Sequence, residues 1–189
     1  MKTFVYIGTS IDGFIAGENG DLDWLEKFAI PEVFDVYSAF IKKIDAIVIG
    51  RGTFEKVLAF PAWPYKRKVF LLSSSIKELP AAIKDKVTIL STKPAAVLEL
   101  LSKQGFTGVN INGGNVIQSF LKEDLIDELI VSKVPVLIGS GIPLFGELNT
   151  DLAFSHIETM AYSNGLVMSR YERKRGHSAT GAQYGLKYV

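Results

Sequence analysis

The chain has no cysteine, which excludes disulfides, a thiol nucleophile and Cys-ligated zinc, and makes a reducing cytoplasm the natural compartment. Histidine is almost as scarce: His156 and His177 are the only two, too few for a His-based metal centre, so no metal is expected. Neither sign of charge prevails. Lys and Arg total 21 against 20 Asp and Glu, a net charge of +1. With no long run of either sign, nucleic acid and anionic membranes are set aside as partners. No apolar run is long enough to cross a bilayer, and the opening M-K-T-F-V-Y-I-G breaks at Gly8, too early for the apolar region of a signal peptide. A G-x-G-x-x-G fingerprint is also missing, so a standard Rossmann dinucleotide domain is not supported. What the chain does have is 189 residues with 48% hydrophobic content, enough to bury the core of one compact domain. That domain is placed at residues 1–175. The remainder, 176–189, is rich in Gly, Ser, Thr and Ala and reads as a tail, either mobile or docked on a neighbour.

The chain is organised around Val109 to Leu121, V-N-I-N-G-G-N-V-I-Q-S-F-L. Val109 and Ile111 suit a strand, whereas Val116, Ile117, Phe120 and Leu121 recur at helical spacing, so the period switches at Gly113-Gly114. With no Cβ at the switch, a ligand can approach the main chain, and the first free N–H groups of the helix point into the crevice. Such a junction is an anion site, with phosphate its usual guest. Gly-Gly serves equally as a plain tight turn, and the pair alone does not decide between the two.

Upstream, the apolar run Phe4 to Ile7 predicts a strand in the middle of a sheet, buried on both faces. It runs into two turn-rich stretches, Ser10 to Ala16 and Gly17 to Asp21, which form a functional loop or a simple hairpin. From Pro31 a helix is predicted, with Val33, Phe34, Tyr37, Phe40, Ile41 and Ile44 on one stripe. Asp45 to Gly50 is a short strand, and Arg51-Gly52-Thr53-Phe54-Glu55 opens another helix, giving a second anion-facing junction. Lys68 to Leu72 and Val87 to Leu90 are further strands, the first followed by Ser73-Ser74-Ser75. Ala95 to Lys103 is a helix closed by Gly105. Beyond the central turn, Glu128 to Val134 is a strand, followed by an irregular Pro- and Gly-rich loop to Phe145. Phe154 to Met160 and Leu166 to Glu172 flank Asn164-Gly165, a strong hairpin signal. Strands alternating with helices and ending in a hairpin predict an α/β fold: a mostly parallel sheet, helices on both faces and an antiparallel edge.

Four stretches, S-I-D-G-F-I-A, I-G-R-G-T-F-E, I-N-G-G-N and D-E-L-I-V-S-K-V-P-V-L-I-G-S-G-I-P-L-F, stand in an order and spacing that resemble the dihydrofolate-reductase-like superfamily. The nearer likeness, over about Met1 to Arg173, is to the reductase domain of the bifunctional riboflavin-biosynthesis deaminase-reductase. The resemblance implies a three-layer fold binding NADPH, with hydride passing to a C=N or C=O bond of a small pterin-like or 5-amino-6-(5-phosphoribosylamino)uracil-like heterocycle. It further implies that Gly50, Arg51 and Thr53 lie near the adenine-ribose phosphate and pyrophosphate, and that Ser73 and Ser74 lie on the adenosine side. Gly113, Gly114 and Asn115 would meet the pyrophosphate, and Ala16 and Gly17 the nicotinamide. A cis peptide at Gly113-Gly114 and a homodimer are also implied, the latter through the apolar Val131 to Phe145 segment or the tail.

Two departures stand out. Asn112 occupies the position where the deaminase-reductase branch carries a glutamate, which puts the riboflavin reaction in doubt. No C-x-x-C or H-x-E stretch exists to hold the zinc of a deaminase. Among other polar residues, Asp12 is the candidate catalytic acid, although Asp-Gly is equally what a turn requires. Asp35 falls nearly opposite the apolar stripe, as a solvated residue would. Tyr37 reads as a core aromatic whose hydroxyl reaches the pocket edge rather than as a proton donor, Trp24 as a partly buried core residue rather than a stacking cap on a flat substrate, and His156 is assigned no chemistry. An enzyme needs only to align the nicotinamide with its acceptor and assist one protonation. A dinucleotide-binding protein without turnover would use the same glycine turns. A phosphate-sugar transferase would need a base near the Gly-Gly turn, which Asn112 cannot supply.

Overall fold

The computed structural model describes residues 1–176; the 176–189 tail reading lies, apart from Gly176, outside the described residues. In chain order the elements are β1 (Lys2–Thr9), β2 (Phe14–Ala16), α1 (Asp23–Glu26), α2 (Pro31–Ile41), β3 (Ala46–Gly50), α3 (Arg51–Leu58) and β4 (Lys68–Leu72). They continue as β5 (Val87–Leu90), α4 (Pro94–Lys103), β6 (Gly108–Asn112), α5 (Gly114–Lys122), β7 (Glu128–Lys133), β8 (Ile142–Pro143), β9 (Phe154–Ala161) and β10 (Val167–Arg173). Eight strands form one sheet in the order β5-β4-β3-β6-β1-β7-β10-β9. From β5 to β7 every pairing is parallel, and β10 and β9 add the antiparallel edge.

The apolar runs of β1, β3 and β6 occupy the middle of this sheet because both of its faces are covered. On one face Phe40 of α2 and Phe54 of α3 pack with Phe4, Ile47, Ile49 and Leu71. On the other, Val97 and Leu101 of α4 join Val116, Ile117, Phe120 and Leu121 of α5 against Val5, Val48 and Ile111. Full burial of one such side chain contributes about 1.5–3 kcal/mol, so α5 is firmly seated through four neighbouring apolar residues. Its N-terminus is thereby fixed at the carboxyl edge of β6.

Three features differ from the sequence reading. The loop after β1 is not a simple hairpin: β2 pairs antiparallel with β8, with Phe14 opposite Pro143 and Ala16 opposite Ile142. On α2 the packed stripe runs through Val33, Val36 and Phe40, one residue away from Phe34 and Tyr37, which are left 56% and 38% exposed. The short helix α1, unheralded by any periodic pattern, sits on the end of β1: Leu25 methyls lie 2.8 and 2.9 Å from where a Cβ on Gly8 would stand. No helix among the described residues is long and apolar enough to cross a membrane.

Candidate functional site

Strands β3 and β6 are parallel neighbours with Ile49 opposite Asn112, so the Gly50-Arg51 and Gly113-Gly114 junctions end side by side at the carboxyl edge of the sheet. Two motifs more than sixty residues apart in sequence become one place. From there α3 and α5 depart to opposite faces, and neither has a side-chain cap on its first turn. Their leading N–H groups are free to meet an anion between them.

Glycine is required at this convergence. Gly113 has φ 91°, and the hydroxyl of Thr53 occupies the space its Cβ would need. A Cβ on Gly50 would stand 2.8 Å from Val116 Cγ2. On Gly114 it would stand 3.0 Å from Ile142 Cγ2 and 3.1 Å from the Pro143 carbonyl, so α5 begins hard against the β2–β8 pair. The cis peptide expected at Gly113-Gly114 is absent: no cis bond occurs among the described residues, and the positive φ of Gly113 turns the chain with a trans bond.

A cavity of about 910 Å³ opens over these junctions, within the range of ligand clefts, roughly 300–1,000 Å³. Gly50, Arg51, Thr53, Ser73, Ser74, Gly113, Gly114, Asn115 and Ala16 all line it. Gly17 lies just beyond the wall, and the Asp21 carboxylate fills the place of its missing side chain. Ser73 is engaged within its own turn, accepting from the N–H of Ile76 at 3.0 Å and of Ser75 at 3.3 Å. The Ser75 hydroxyl is also within 3.3 Å of the Ser73 hydroxyl, so Ser74 presents the freer group to the cavity.

Asp12 is not among the lining residues. Its carboxylate accepts from the N–H of Gly139 at 2.8 Å and of Ile138 at 3.4 Å, tying the first loop to the 136–145 loop. The Ser10 hydroxyl beside it, followed by those two N–H groups, holds its carboxyl below the usual range. Asp35 is exposed and also away from the cavity. His156 lies on the exposed edge strand with Nε2 2.7 Å from Thr159 Oγ1.

The cavity also draws in residues not singled out from the sequence, notably Lys56, Phe60, Tyr65, Ser75 and Leu25. Lys56 could have been found, since Thr53, Lys56 and Val57 share one helix face. Tyr65 could not, because F-P-A-W-P-Y carries no period. Among the described residues the wall has two cations, Arg51 and Lys56, and no Asp or Glu. Among the described residues no cluster of three His, Cys, Asp or Glu could hold a metal.

A family model described as the RibD C-terminal domain matches residues 2–168. YwjB of Bacillus subtilis, an uncharacterised protein, is 38% identical over 154 residues, covering 79% of this chain and 86% of its own. A Shewanella sp. PV-4 protein named for riboflavin biosynthesis superimposes with a TM-score of 0.87 at 41% identity, covering 93% of this chain and 100% of its own. Dihydrofolate reductase of Enterococcus faecalis, complexed with NADP(H) and RAB-propyl, gives a TM-score of 0.67 at 16% identity, covering 92% and 96%. The fold is dihydrofolate-reductase-like.

Proposed function

The chain belongs to the RibD C-terminal domain family, and from that premise we propose that it is a cytoplasmic NADPH-dependent oxidoreductase acting on a small heterocycle. The family and the fold support a reductase. The observation that carries the cofactor assignment is the convergence of two uncapped helix N-termini and Arg51 in one cleft, at two glycine junctions where side chains would collide.

The residues present fit a dinucleotide. The first N–H groups of α3 and α5, with the Thr53 hydroxyl, would hold the pyrophosphate. Arg51 and Ser74 would hold the 2′-phosphate, a guanidinium being suited to a phosphate fork. A bound reduced nicotinamide supplies the hydride. The chain supplies alignment: Ile15 and Ala16, held by the β2–β8 pair, form an apolar wall that excludes water from one side of the cleft. Asp12, anchored to Ile138 and Gly139, is proposed to act by positioning this loop pair, and solvent delivers the proton.

Titrating NADPH and NADH into the protein, then following NADPH consumption with a panel of dihydropterins, pyrimidinones and quinones, tests the reading. Turnover with any acceptor supports it. Binding without turnover across the panel favours a dinucleotide-binding protein, and no binding of either cofactor removes the reductase assignment.

A further inference from the structure

Strands β3, β4 and β5 lie side by side and run parallel, so their first residues share the amino edge of the sheet. The cleft lies at the opposite edge, one five-residue strand or about 17 Å away. Three short segments lead into or open these strands: Lys42-Lys43-Ile44-Asp45 at β3, Lys66-Arg67-Lys68 at β4 and Lys84-Asp85-Lys86 at β5. They hold seven cations against two acids, a local surplus of five positive charges. Lys42, Lys43, Lys66, Lys84 and Lys86 are exposed.

Local contacts join the segments without cancelling their charge. Arg67 Nη2 donates to the Ile41 carbonyl at 3.1 Å, Lys68 Nζ donates to the Asp85 carbonyl at 2.9 Å, and the Val69 N–H donates to the Lys86 carbonyl at 3.0 Å. Lys42 and Lys43 suit the carbonyl end of α2. Each of these acceptors is a neutral carbonyl. Among the described residues none of the seven cations forms an ion pair. Farther along the same edge the cations are paired: Lys2 with Glu128 and Glu172, Arg173 with Asp124, and Arg175 with Asp127. Of the two acids in the segments, Asp45 already accepts from Thr107 and Gly108, and residues 177–189 include no Asp or Glu.

The composition of the patch selects among anionic partners. Six of the seven cations are Lys, which is depleted from protein–protein interfaces, where Arg and aromatic residues prevail. The segments contain no aromatic residue, and their one apolar side chain, Ile44, is 2% exposed. They therefore offer neither an apolar anchor for a membrane nor a platform on which single-stranded bases could stack. Lysines are point charges on flexible stems, and here they rise from adjacent strands about 4.8 Å apart. Such an array suits a chain of phosphates whose bases are not read. We propose that this edge binds the phosphate backbone of double-stranded nucleic acid, without sequence preference and independently of the cleft. The near-zero net charge of the whole chain averages over this separation, because the three segments are apart in sequence and meet only through the order of the strands.

The test follows the fluorescence anisotropy of a labelled DNA duplex of arbitrary sequence as the protein is added at several salt concentrations. Each contacted phosphate contributes about −0.9 to the slope of log K against log salt, so three to five contacts should give a slope of roughly −3 to −5, with micromolar affinity at about 50 mM salt. The double variant Lys66→Glu, Lys86→Glu should weaken the duplex at least ~10-fold and leave NADP⁺ affinity unchanged. Lys27→Glu with Lys133→Glu alters the net charge equally from exposed positions outside the patch, and should change duplex affinity by less than about two-fold because distant charges are screened. If the first pair folds poorly, Lys84→Gln with Lys86→Gln is the milder pair and should weaken the duplex in the same direction. No binding of the duplex at the lowest salt would overturn the proposal. So would equal losses in the patch and control variants, displacement of the duplex by NADP⁺, or tighter binding at the same salt of polyglutamate or of vesicles of equal parts phosphatidylserine and phosphatidylcholine.

Discussion

The Thr53 hydroxyl fills the space that a Cβ on Gly113 would need, so the second glycine turn is shaped by the first turn of α3. The two anion-facing junctions are thus interlocked. Gly113→Ala should cost about 1–3 kcal/mol, because φ 91° is strained for any side chain, and should weaken NADPH and NADH alike. Adding Thr53→Ala should recover part of the stability, since the clash is removed while the backbone strain stays. Chemical denaturation of the single and double variants checks this; additive losses with no recovery would show that the contact does not matter.

Asp45 ties the start of the central strand to its neighbour. Its carboxylate accepts from the Thr107 N–H and hydroxyl, both at 2.8 Å, and from the Gly108 N–H at 3.2 Å. Burial works against the charge, but the Thr107 and Gly108 donors outweigh it and hold the carboxyl below its ordinary value. A depressed folded value means that the stabilisation is fully present above the unfolded value near 4 and disappears as pH falls through the folded value. Asp45→Asn should therefore cost about 1 kcal/mol at neutral pH, after allowance for solvent screening, and the loss should shrink toward zero in strong acid. Denaturation midpoints across the acid range measure it; a constant difference at every pH would contradict this account.

The central strand and both glycine junctions were readable in the sequence because each lies where a short apolar run meets a helical period within a few residues. Elements held by long-range contacts left no such trace. The β2–β8 pair spans three and two residues, too few for any period, and exists because the loops after β1 and β7 meet. Helix α1 is four residues long, below the length at which a pattern can be distinguished from chance. The contrast at α2 is of another kind: the apolar stripe is real, but Phe34 and Tyr37 lie at its margin, and a pattern cannot tell a stripe's centre from its edge. Asp12 shows the same limit for polar residues, since a turn aspartate and a catalytic one share the same local sequence, and only the contact with Gly139 reveals what it touches.

Assembly is a separate prediction. Ile11, Leu137 and Phe145 are 50%, 68% and 53% exposed, and their loops are joined by the Ile11 N–H to the Val136 carbonyl and the Leu144 N–H to the Gly13 carbonyl. The apolar segment Val131 to Phe145 thus presents Leu137 and Phe145, and the loop linked to it adds Ile11, the kind of surface that marks an interaction site. A homodimer through this surface is expected, with a scattering mass near twice 20.8 kDa. Leu137→Asp should return the mass of one chain with little change in intrinsic stability, about 0.5 kcal/mol or less for an exposed position. A parent protein that scatters as one chain throughout the micromolar range would contradict the prediction.

The proposed preference for NADPH rests on Arg51. Among the described residues its ion-pair partner is Glu55, one turn away at 4.0 Å, and it opens α3 beside Ser74 in the cleft wall. An anion there would meet a guanidinium, a hydroxyl and free helix N–H groups together, which favours the additional phosphate of NADPH over the bare ribose of NADH. A charge-assisted hydrogen bond is worth about 1.5–3 kcal/mol, so Arg51→Ala should weaken NADPH roughly ten-fold to a hundred-fold and leave NADH nearly unchanged. Because Glu55 competes for the same guanidinium, Glu55→Gln should strengthen NADPH slightly, by a factor of about two, in keeping with the small worth of exposed pairs. The two substitutions therefore move NADPH affinity in opposite directions while NADH stays fixed. Equal losses of both cofactors in Arg51→Ala would show that Arg51 serves the shared pyrophosphate, and an insensitive NADPH affinity would place the 2′-phosphate elsewhere, with Lys56 the next cation along the wall.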